Sequence, residues 1–169
     1  MYEAFASVLK TICAIEHAMG NAMLLCQKWG YNGLKRKYRL YGTCLHYCKM
    51  QIECEMFDNH ELDPPLTLDT SSYPAYSPSS IAEHLDAWVV LMKEATAQLV
   101  AANKQLLPAI GKQNCYVEKV LCLMYKEKCK ATRWAKRFKE AGIHDLHIMD
   151  DMLHKKMKHK EEKEYPKWI

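Results

Sequence analysis

A glutamate stands inside an apolar helical pattern in the stretch AIEHAMGNAMLLC, residues 14 to 26. At about 100° per residue, Phe5, Ile12, Glu16, Met19, Met23 and Cys26 share one face to within roughly 60°, which predicts a core-facing Glu16. A carboxylate there must be protonated, hydrogen-bonded or paired with a cation. The hydroxyls of Tyr38 and Tyr41 are the hydrogen-bonding candidates, and a metal ion is the chemical alternative. Soft donors abound, with 10 Met and 8 Cys. Gap-filling in the core explains most of them, and soft-metal binding is the competing use.

Further groups have the right types for chemistry. Cys115, Cys122 and Cys129 recur every seven residues, a thiol line opposite the apolar stripe of their helix, with Lys119, Lys126 and Lys130 beside it. Such a line suits a subunit contact, or metal binding and oxidation at exposed thiols. The clusters HELD and EHLD place His60, Glu61, Asp63, Glu83, His84 and Asp86 at the two ends of a Pro- and Ser-rich stretch, where they read as solvated helix ends. His144, His147, His154 and His159 read as surface histidines. No C-x-x-C pair occurs, which removes zinc-ribbon, thioredoxin-like and haem-attachment readings.

Helices must position all of these. The period of 3.6 breaks only where the few Gly and Pro fall, giving helices over about 2–29, 33–60, 80–107, 115–141 and 144–163 in one domain, 1–169. GYNG makes a short turn after the first. ELDPPLTLDTSSYPAYSPSS is a long connection without period, SSIAE supplies a capping box, Pro108 ends the third helix, and Gly142 caps the fourth. Two helical hairpins joined by one long crossover describe an all-α, ferritin-like four-helix bundle with a short C-terminal fifth helix.

Composition fits one domain with a sizeable core, since 49% of residues are hydrophobic and 26% charged. The net charge of +4 does not by itself imply a nucleic-acid partner, and the basic tail HKKMKHKEEKEYPK carries acids that weaken its field. With no apolar run near 18 residues and no signal-like start, the expected location is the cytoplasm, away from membranes, with thiols reduced.

RFKEAGIHDLHIMDDML, and Glu16 followed by Trp29 at the end of its helix, resemble the ferritin family over nearly the whole chain at low similarity. The resemblance implies iron handling in a homo-oligomeric shell, with a di-iron centre built from a Glu of the first helix, a Glu-x-x-His of the second, a Glu of the third and a Gln or Glu of the fourth. Matched position by position, the centre would contain Glu16, Cys48, Met92 and Met124, with Leu45 filling space and Glu127 at the flank near an accessory iron site. One primary ligand survives, so the expected function is a ferritin-like protein of the iron-storage type with a degenerate centre, a non-catalytic or structural shell subunit. Copper held by Cys48, Met92, Met124, Met19 and Cys26 is one alternative, and a helical interaction protein without metal is the other.

Overall fold

The computed structural model describes residues 1–63 and 76–164, with the side chains of residues 162–164 left aside. Four helices carry the fold: α1 Tyr2–Lys28, α2 Asn32–His60, α3 Ile81–Ile110 and α4 Cys115–Glu164. Each buries residues at three- and four-residue intervals, as Phe5, Val8, Leu9, Ile12, Ile15 and Met19 do on α1. The stripes meet in a single core. No strand is present among the described residues. None of the helices is long and apolar enough to cross a membrane, again among the described residues.

α1 packs against α2 and α3, and α4 packs against the same two, so α1/α4 and α2/α3 are the diagonal pairs. Polarity follows from cross-helix contacts. Tyr38 near the start of α2 bonds His84 near the start of α3, whereas Glu55 near the end of α2 bonds Asn114 just before α4. Therefore α2 and α3 run in the same direction and α4 runs against both. Parallel neighbours in sequence need a long return, which residues 61–80 provide; of the expected crossover, residues 64–75 lie outside the described residues.

Local chemistry fixes the helix ends. Gly30, at φ 81°, makes the α1–α2 turn. The Ser80 hydroxyl accepts from Glu83 N, while the Glu83 carboxylate accepts from the amide and hydroxyl of Ser79, completing the capping box. These two donors hold the Glu83 carboxyl below its usual range. Asn114 caps α4 by accepting from the amides of Tyr116 and Val117. Pro108 does not end α3: the helix runs through it to Ile110 and closes at left-handed Gly111, whose N–H bonds Leu107 O. A proline this close to the C-terminus removes one bond of the final turn, and the glycine cap restores closure.

Gly142, at φ 75° and ψ −165°, breaks α4 into two arms. The second arm returns to α2, where Asp150 accepts from the amides of Gly33 and Leu34 at 2.9 and 2.8 Å. Tyr31 provides no side-chain cap for α2, so a carboxylate distant in sequence caps it instead. Burial still raises the Asp150 carboxyl, against the lowering effect of those amides. Glu161 pairs with Arg36 and Arg39, and His147 stacks on Tyr31 with ring centroids 4.8 Å apart.

Candidate functional site

Buried polar groups meet where α2, α3 and α4 face one another. Lys37 is 2% exposed and Glu127 fully buried. The Lys37 ammonium lies 2.6 Å from Glu127 Oε1, and Trp88 Nε1–H donates to the same oxygen at 2.9 Å. Glu127 Oε2 has no hydrogen-bond partner among the described residues. Lys37 Nζ also sits 4.4 Å from the centre of the Tyr38 ring, so the aromatic face shares the cation.

A second buried set continues from Tyr38. His84 Nε2 lies 2.9 Å from the Tyr38 hydroxyl, and Nδ1 lies 2.5 Å from the Tyr76 hydroxyl. Tyr76 additionally reaches His84 O at 3.4 Å. One tautomer satisfies all three contacts: Nδ1–H donates to Tyr76, which donates to the carbonyl, and Tyr38 donates to Nε2. Cys26 Sγ is 3.9 Å from the same Nε2. Burial first, and the Lys37 charge second, press the His84 pKa down to about 3, so the ring is neutral. Burial raises the tyrosine hydroxyls of Tyr38 and Tyr76 and pushes the Cys26 thiol up to about 12. The cluster therefore holds one internal ion pair and otherwise uncharged groups. Both ring nitrogens of His84 are engaged, and Cys26, Tyr38 and Tyr76 keep their protons, so none of these four side chains offers a free base, thiolate or phenolate.

Glu16 is not a core carboxylate. It is half-buried on the α1–α2 seam, 2.8 Å from His46 Nδ1 and 3.5 Å from Lys49 Nζ. The buried stripe of α1 is centred nearer Val8, Ile15, Ala22 and Cys26 than Phe5, which moves Glu16 to its edge. Tyr38 and Tyr41 are buried as expected, but neither meets Glu16: Tyr38 bonds His84, and Tyr41 accepts from Lys130 at 2.8 Å. Glu127, expected on the flank, is the carboxylate of the bundle centre.

Cys48, Met92 and Met124 are buried, and the hydrogen bond with Cys44, followed by burial, raises the Cys48 thiol. Among the described residues, no three or more His, Cys, Asp or Glu side chains are grouped to hold a metal ion. A di-iron centre does not fit this donor set: hard ions need several oxygen or nitrogen donors, and the one central carboxylate already faces an ammonium. All eight cysteines are free, with Cys115, Cys122 and Cys129 exposed along α4 as their spacing places them.

Sequence reasoning missed Lys37, Tyr76, Asp150 and the burial of His84. His84 sits three residues after Ile81 and four before Trp88, both on the α3 stripe, and that spacing was a usable signal. Lys37, four residues before Tyr41, offered the same one. No protein-family model matches the chain, and no curated protein matches it.

Proposed function

We propose that the chain is a non-catalytic structural bundle of ferritin-like architecture, in which the Lys37 ammonium acts as the internal counter-cation of the core carboxylate Glu127. One observation carries the reading: Lys37 Nζ stands 2.6 Å from Glu127 Oε1 with both groups out of water. A cation arriving at Glu127 has to displace a bound ammonium and leave it buried without a partner, which is costly. The equal polarity of α2 and α3 across a long crossover supports the ferritin-like part. Soft-metal binding has less support, because the raised thiols of Cys26 and Cys48 are protonated and a metal takes thiolate.

Ferrous iron and oxygen supplied to the purified protein test this. Iron oxidation should proceed at the protein-free rate in the natural chain and in Glu127→Gln alike. Fast oxygen-dependent oxidation that Glu127→Gln abolishes would overturn the reading.

A further inference from the structure

The outer face of α2 near its end carries an apolar ridge. Met50, Cys54 and Phe57 recur at i, i+4 and i+7, opposite the buried Cys48, Ile52 and Met56. Phe57 is 60% and Met50 48% exposed, and Cys54 is exposed as well. Glu53 falls on one flank of the ridge and Asp58 on the other, with Glu61 at the helix end. Three apolar side chains aligned in water between acids differ from singly scattered ones, which need no explanation.

The groove between α3 and α4 has the opposite shape and charge. Buried Thr96 and half-buried Val100, the small exposed Ala97 and Ala101, Tyr125, and the cations Lys93, Lys104 and Lys128 line a hollow of about 380 Å³ with no acid in its lining. The pairs Lys139–Asp86 and Asn103–Glu118 join α3 to α4 elsewhere along the seam. Lys93 and Lys104 are three turns apart, about 16 Å, and the ridge spans two turns, about 10 Å.

We infer that the Met50–Cys54–Phe57 ridge of one copy docks into the α3–α4 groove of another copy of this chain. Bulky side chains enter over the small ones, and Glu53, Asp58 and Glu61 meet the lysines, which fixes register and makes the contact salt-sensitive. Both halves belong to one chain, so a second copy supplies everything the contact needs. Because α2 is diagonal to α3, the two surfaces are separate, and the association is head-to-tail rather than isologous. The thiol line is less suited to pairing two copies, since it would bring Lys119, Lys126 and Arg133 against the same cationic row of its partner.

Light scattering after size exclusion, at low and high salt, tests the inference on four samples: the natural chain, Phe57→Glu, the triple variant Lys93→Glu, Lys104→Glu, Lys128→Glu, and an equimolar mixture of the two variants. The natural chain should exceed 19.7 kDa increasingly with concentration, and each variant alone should stay at that mass. The mixture should regain twice the chain mass, because one intact ridge and one intact groove remain. Phe57→Ser, which adds no charge, should weaken association about tenfold or more. A natural chain that stays monomeric at low salt, a Phe57→Glu variant that assembles like it, or a mixture that stays at 19.7 kDa would each overturn the inference. Neither surface contains Lys37 or Glu127, so this test and that of the core ion pair fail separately.

Discussion

Glu16 and Glu127 are carboxylates on the flanks of helical stripes, each paired with a lysine, yet they occupy different worlds. Glu16 has 27% of its side chain exposed and pairs with His46 and Lys49 on the α1–α2 seam. Glu127 has none exposed and meets Lys37 and Trp88 from two neighbouring helices. Glu16 lies roughly 80° and Glu127 roughly 50° from the middle of its own buried stripe, and each falls between buried neighbours on its helix, Phe5 and Leu9 around Glu16, Val120 and Trp134 around Glu127. The angle on one helix therefore does not decide burial; what the adjacent helices place over that flank does. Solvent screens the first pair, and the second is held by contacts that water cannot replace.

The sharpest way to break the comparison is to remove the buried cation. Lys37→Met should cost roughly 3–5 kcal/mol in urea unfolding, because it strands Glu127 in the core. A loss below about 1 kcal/mol would put Glu127 in the class of Glu16.

A second effect concerns the terminal arm. A methyl group at Gly33 would run into the backbone oxygen of Asp150 and lie 2.8 Å from His154 N. Gly33→Ala should cost roughly 3 kcal/mol, the upper end for overpacking, since both obstacles are backbone. Hydrogen exchange should then quicken in the arm after Gly142 before it does in α1.

Acid extends the contrast to His84. Its folded pKa of about 3 lies below the ordinary 6.5, so the neutral ring contributes stability that is complete above pH 6.5 and lost as pH falls toward 3. At pH 5 the loss should be about 2 kcal/mol. His84→Gln should flatten this slope even if it lowers stability at neutral pH, and an unchanged slope would show that His84 is not its source.

The smallest effect belongs to Glu16. Glu16→Gln should change stability by less than about 1 kcal/mol, and high salt should erase the difference. A larger loss would mean that the seam is less open to water than its exposure indicates.

Much of the helical fold was legible, because apolar period, the Ser79–Ser80–Glu83 box and Gly142 are local signals. The buried faces of α2 and α3, from Leu34 to Met56 and from Ile81 to Leu106, follow the apolar period of the sequence. The site was less legible because its polar members sit on stripe edges. Lys37, His84 and Glu127 sit toward the edges of their own stripes, where helical angle alone leaves burial open, and partners 90 and 46 residues away in sequence cover them. Asp150 capping α2 is likewise a contact across 117 residues, which no local pattern encodes.

The coupling between Lys37 and Glu127 is tested most directly by a double-mutant cycle in urea with Lys37→Met, Glu127→Leu and both together. Each single change should destabilise by roughly 3–5 kcal/mol, and the double variant should recover most of that loss, since an apolar pair leaves no buried charge. Losses that simply add would contradict the account, because Lys37 and Glu127 would then act independently.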